Sequence, residues 1–207
     1  MDQSPTDRQR KTRPGAVTFA VAAQWLLVLA MLASTVVSLL YGSDAQAAFE
    51  AEVRAQGVSP EDLPQGFGDL DSPMNWVPTL VGVAIVALLA ALNSRGVRPA
   101  RILTWIVQPL VLVCGGFIFI GQLAMSASLQ IALDNSGDSR LEGLEAEPMV
   151  EAIMGAYPSW SALVDWAVLV LATLGSLLVI ILLAVPSSNE FFRKEEPQKY
   201  IPGAPPA

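Results

Sequence analysis

Four long apolar runs, at 16–41, 76–92, 102–127 and 160–185, constrain this chain more than any other feature. They are 17 to 26 residues long, and at about 1.5 Å rise per residue each reaches across a hydrocarbon core of roughly 30 Å. Inside that core no water satisfies the backbone, so every N–H and C=O must find its partner within the chain, which means helices. The charged fraction, 15%, falls well below the roughly 25% usual in soluble domains. The expected fold class is an all-α membrane protein, a four-transmembrane-helix bundle with two acidic outer loops containing short helices. The loops, 42–75 and 128–159, are each too short to bury an independent core. One domain over 16–185 is therefore expected, between a disordered lead at 1–15 and a disordered tail at 186–207.

The charges give the bundle a direction. Ten of the twelve Lys and Arg residues lie before the first run, between the second and third, or after the fourth. Basic residues in short segments are retained on the cytoplasmic side during insertion, so both termini and the turn 93–101 are expected in the cytoplasm, with the chain in the plasma (inner) membrane. The other two segments are acidic: 42–75 holds seven carboxylates against Arg54, and 128–159 holds six against Arg140. Tyr41, Trp76, Tyr157, Trp160 and Trp166 collect at the acidic edge and Trp105 near the basic one, as amphipathic rings do at a headgroup boundary.

A signal peptide competes for the first run, because a basic lead and an apolar stretch precede Ala45-Gln46-Ala47. A signal core spans about 7 to 15 residues, and this run has 26, so a retained helix is the stronger reading. That helix is expected to overrun the membrane, since Ala45, Phe49, Val53 and Gln56 keep its spacing until Gly57. Ser59-Pro60-Glu61-Asp62 reads as a short capped turn with Ser59 as N-cap, and 63–73 as irregular loop because of Pro64, Gly66, Gly68 and Pro73. In the second loop Val150, Ile153, Met154 and Tyr157 recur at helical spacing after Pro148. An acidic polar face (Glu147, Glu151) favours packing onto the first loop over binding anionic headgroups. Small residues line the runs, among them Ala30, Ser34 and Ser38, then Ala87 and Ala91, then Gly115, Gly116 and Gly121, then Ala172 and Ser176. They permit close helix approach, either within one bundle or between copies.

Polar positions inside the runs are Gln24, Gln108, Gln122 and Asp165. Such groups are costly in lipid and often mark function. Gln24 and Gln108 read first as interhelical hydrogen-bond partners. Asp165, a turn below the acidic edge, reads first as a boundary residue near a helix start. Cys114 stands alone in the third run and reads as a small buried hydrophobe.

Catalytic and cofactor chemistry has no visible foothold. Histidine is absent and there is one cysteine, which removes the commonest general base and any intrachain disulfide. No phosphate loop, HExxH, CxxC or GxSxG occurs, and Asp134-Asn135-Ser136-Gly137-Asp138 lacks the rest of an EF-hand. No enzyme activity, cofactor or metal site is expected, and no nucleic-acid partner. The expected partners are the lipid bilayer and a protein, a second copy of the chain included.

Arg13-Pro14 with Val17-Thr18, Ala20 and Trp25, then Ala100-Arg101-Ile102-Leu103-Thr104-Trp105, Cys114-Gly115-Gly116, and Ser188-Asn189 with Phe191-Phe192-Arg193, resemble a large group of small actinobacterial four-helix integral membrane proteins. The resemblance covers the helices and their basic ends, about half of the chain, and implies a topology without an activity. Tetraspanins share the helix count but carry an external Cys-Cys-Gly that is missing here. Small multidrug transporters have short loops and a central membrane glutamate, also missing. The leading expectation is a non-enzymatic accessory or scaffold protein of the cell envelope acting through its acidic outer loops. The alternative is a small transporter or channel subunit in which Gln24, Gln108, Gln122 and Asp165 line a polar path.

Overall fold

A computed structural model describes residues 13–63, 69–70, 72–141 and 143–193. The expectations for most of the lead, for 64–68 and for the tail beyond Arg193 lie outside the described residues. Every regular element among those described is helical: α1 (Gly15–Ala55), α2 (Pro73–Ser94), α3 (Arg98–Leu123), α4 (Met125–Asp134), α5 (Ala146–Ala156), α6 (Ser161–Val170), α7 (Ser176–Ala184) and α8 (Pro186–Phe192). A π-helical turn, Leu171–Gly175, joins α6 to α7. Four helical stretches have the length and apolarity to cross a membrane: α1, α2, α3 and the combined fourth span Ser161–Ala184. The chain is an all-α four-helix bundle, with each span packed on its sequence neighbour and the fourth closing back onto α1.

α1 has 41 residues, so it is about 60 Å long, roughly twice the hydrocarbon thickness. Its end matches the spacing argument: the helix stops at Ala55, and Gly57 adopts φ +88°, the left-handed conformation that glycine takes at helix ends. The overrun is the post on which the acidic loops fold. Ala45, Phe49 and Val53 on α1 pack with Leu133 of α4, with Leu141 and Leu144, and with Ala146, Met149 and Ile153 of α5. All nine side chains are buried.

The structure corrects several expectations. The third run does not continue to residue 127; it breaks at Ala124, and α4 continues to Asp134 through a stretch expected to be loop. The inner face of α5 is Ala146, Met149 and Ile153, while Met154 points outward at 65% exposure. Residues 186–192, expected to be disordered, form α8, whose Phe192 packs with Val17, Val21 and Leu183. Ser59 is the N-cap of the 3-10 turn Pro60–Asp62, but its side chain makes no capping bond. Cys114 is exposed on α3. A membrane helix offers its apolar surface to lipid, so an apolar side chain on it gains nothing from the interior over the outside.

α3 is the peripheral member of the bundle. Only 11% of its apolar window is covered, against 28% to 33% for the other three. It comes close to the fourth span at Gly115, where an added Cβ would stand 2.9 Å from the Cβ of Ala172. Ala172 lies in the π-turn and packs with Leu27, Val28, Val83 and Val86. A Cβ on Gly116 or Gly121 would meet nothing within 4 Å, so of the three glycines only Gly115 serves the intrachain contact.

Candidate functional site

Two polar assemblies lie at different depths. The first is a buried belt toward the basic end of the bundle. Asn93, at the end of α2, donates through Nδ2 to Thr104 Oγ1 of α3 at 2.8 Å and to Gln24 Oε1 of α1 at 3.3 Å. Thr104 in turn donates to the Ala100 carbonyl at 2.8 Å. Gln108 follows one turn along α3 on the same face, and Ser176 opens α7; all five side chains are buried. Gln24, Gln108 and Ser176 sit 8 to 10 residues from the basic ends of their helices, or about 12 to 15 Å.

Sequence reasoning therefore found Gln24 and Gln108, placed Ser176 only in a small-residue stripe, and gave Asn93 and Thr104 no polar role. A signal was available for Asn93 and Thr104. Asn93 continues the buried stripe Val86, Leu89 and Ala90 at helical spacing, and Thr104 lies midway between buried Ala100 and Gln108. Gln122 and Asp165 do not join the belt. Both are exposed, nearer the acidic end of their helices, and so the four predicted positions form no continuous path. Five belt atoms lack a hydrogen-bond partner among the described residues: Gln24 Nε2, Asn93 Oδ1, both amide atoms of Gln108 and Ser176 Oγ. Amides and hydroxyls donate and accept hydrogen bonds without titrating, so the belt can hold a polar group or join helices but cannot serve as an acid–base pair.

The second assembly is the acidic cap. Three glutamines stitch its loops together through backbone groups. Gln56 accepts from the Glu145 N–H at 2.7 Å and donates to the Glu145 carbonyl at 3.1 Å. Gln130 accepts from the Ala146 N–H at 2.9 Å and donates to the Leu144 carbonyl at 3.2 Å. Gln46 accepts from the Leu70 N–H at 2.8 Å. Helix α5 has no capping side chain of its own. Gln56 of the α1 overrun and Gln130 of α4 satisfy the N–H groups at its start instead, which no local motif would reveal.

Both basic residues of the cap are engaged. Arg54 pairs with Glu50 one turn away at 2.8 Å. Arg140 bridges the two loops, meeting Asp62 and Asp138 at 2.9 Å each. Its guanidinium and then its backbone N–H hold the Asp138 carboxyl below the usual carboxylate range. A carboxyl lowered in the folded state adds stability that is complete above its unfolded pKa of about 4 and is lost as pH falls through the folded value. Acidification below that point should therefore loosen residues 134–145, read as faster proteolysis at pH 3 than at pH 7. Asp138→Asn should shrink that pH step and slightly raise cleavage at pH 7, as the loss of one exposed ion pair would. High salt should shrink the effect, because the pair faces water.

At the foot of the cap the Tyr41 and Tyr157 rings meet at 6.4 Å between centroids. Burial, and secondarily the Asp165 carboxylate, push the Tyr157 phenol up. An apolar cavity of about 400 Å³ lies between cap and bundle, walled by Phe49, Met125, Leu129 and Ile153. Among the described residues no titratable side chain lines it. Among the described residues no three carboxylate or thiol side chains gather as a metal site. Comparison with family models, with curated proteins and with solved structures finds no match to this chain.

Proposed function

We propose that this chain is a non-catalytic, multi-pass plasma-membrane protein with both termini in the cytoplasm, acting as an accessory or scaffold that presents a rigid acidic head outside. The observation that carries this reading is the cap core. Because Ala45, Phe49 and Val53 belong to the same unbroken helix as Val17 and Leu27, the head cannot swivel freely on the bundle. Asp44, Glu61, Asp69, Glu145, Glu147 and Glu151 are exposed around it, and the two arginines are held in ion pairs. Like charges at fixed positions cannot move apart to relieve their repulsion, so a basic protein surface is the partner that such a head favours.

The buried belt supports a second reading, a small transporter or channel subunit, because its unpartnered amide and hydroxyl atoms lie between helices. The separation of Gln122 and Asp165 from the belt weighs against it. Two experiments on the full chain distinguish these readings. A photo-crosslinking residue at position 151 should give one or a few discrete adducts in intact cells, reduced severalfold by Glu147→Gln with Asp44→Asn. Proteoliposomes of the protein should hold proton and potassium gradients as long as protein-free vesicles. Charge-independent adducts would sink the scaffold reading, and fast dissipation would favour the channel.

A further inference from the structure

A cavity of about 380 Å³ opens at the basic end of the bundle, between the start of α3 and α8. Arg98, Arg101, Ile102 and Trp105 of α3 form one side, and Asn189, Phe192 and Arg193 of the α8 region the other. Among the described residues its lining contains no carboxylate, and Arg98 and Arg101 supply its charge on the α3 side. Arg98 and Arg101 are one turn apart on one helix, a spacing at which like charges repel, and neither makes an ion pair with a described carboxylate.

The Arg101 guanidinium is held in place by neutral groups. It lies 4.8 Å from the centre of the Trp105 ring and 5.4 Å from that of Phe192, and one terminal nitrogen donates to Asn189 Oδ1. Its Nε is buried without a hydrogen-bond partner among the described residues. Ring contacts and a neutral amide fix the cation without cancelling its charge. The opposite wall is equally set. Ser188 Oγ donates to the Leu182 carbonyl at 2.7 Å, and Phe191 covers Gly96 so closely that a Cβ there would stand 3.0 Å from the ring. The Arg101 guanidinium and the α8 wall are thus set before any ligand arrives.

Its surroundings separate the ligand classes. Ile102 and Trp105 line the cavity, and Ile102 and Ile106 continue outward from it as exposed apolar side chains on a helix that has the length and apolarity of a membrane span. A molecule filling the site would meet the held Arg101 and the exposed Arg98 at one end and a lipid-facing apolar wall at the other. We propose that this cavity binds the phosphate headgroup of an anionic phospholipid, with Arg98 and Arg101 on the phosphate and an acyl chain along Ile102 and Ile106. Basic pockets of this kind between membrane helices are suited to anionic headgroups, and paired guanidinium donors suit phosphate oxygens. Such a site serves equally well whichever side of the membrane the basic end faces.

The test uses full-length protein in neutral detergent, titrated with phosphatidylglycerol, with phosphatidylcholine, or with inorganic phosphate, and read by native mass spectrometry. Phosphatidylglycerol should bind at least severalfold more tightly than phosphatidylcholine. Arg98→Gln should weaken phosphatidylglycerol about tenfold, the cost of one charge-assisted hydrogen bond. Arg95→Gln removes the same charge at an exposed position outside the cavity and should leave affinity within about twofold. Arg101→Gln also removes a contact that holds α8, so Arg98 carries the test. Equal losses in the Arg98 and Arg95 variants would mean non-specific attraction and overturn the site. So would equal binding of phosphatidylcholine. Millimolar phosphate that displaces the lipid completely would make free phosphate the ligand and overturn the lipid assignment.

Discussion

Replacing Phe49 with alanine should unfold the cap while leaving the membrane bundle folded. Phe49 is 2% exposed and lies among the buried side chains that join α1, α4 and α5. Truncating a buried phenylalanine costs about 3 to 5 kcal/mol. That is a large share of what so small a core supplies. The cap stands in water, where burying apolar surface is favourable; the spans stand in lipid, where it is not a driving force between helices. The loss should therefore stay local. Hydrogen exchange should rise steeply across 125–157 and remain unchanged across 17–37, where the Val17 and Leu27 clusters are separate from the cap. Equal exchange throughout, or loss of all four spans together, would contradict the division into two kinds of core.

Gly115→Leu should separate α3 from the fourth span. Even the first carbon of a side chain there would stand 2.9 Å from Ala172 Cβ, and the neighbouring backbone is helical on both sides. Forcing extra atoms into a packed contact costs about 1 to 3 kcal/mol. α3 has little other cover to compensate for the loss. Gly116→Leu is the matched control, since no atom lies within 4 Å of its Cβ position. The thermal midpoint in detergent should fall by several degrees for the first variant and stay unchanged for the second. Equal shifts would place the close helix contact elsewhere.

Much of this architecture is written in local spacing. The four runs mark the spans, and Ala45, Phe49 and Val53 already carry the first helix past the membrane before Gly57 ends it. Met125, Leu129 and Leu133 also recur at helical spacing, but Ser128 and Gln130 end the apolar run, so α4 beyond residue 127 reads as loop. α8 is a different case. Its sequence, Pro-Ser-Ser-Asn-Glu-Phe-Phe, has little helical preference of its own, and its stability comes from Phe192 against Val17 and Leu183, the first of them far away in the chain. The belt was half legible for a related reason. Gln24 and Gln108 stand out inside apolar runs, whereas Asn93 sits at a run's edge and threonine is common in membrane helices. The cationic cavity was visible only as a basic turn, because Asn189 and Phe192 join it through tertiary packing.

A rigid acidic head outside and a basic end inside are the core of the proposed topology, and thiol accessibility tests them most directly. In a Cys114→Ala background, single cysteines at Ser59 and Ser139 should react with a membrane-impermeant maleimide in intact cells. Cysteines at Ser4 and Ser187 should react only after the membrane is opened. Ser187 is the better reporter than Ser188, which is buried and hydrogen-bonded. Labelling of Ser4 and Ser187 in intact cells, with Ser59 and Ser139 protected, would invert the topology and contradict the account.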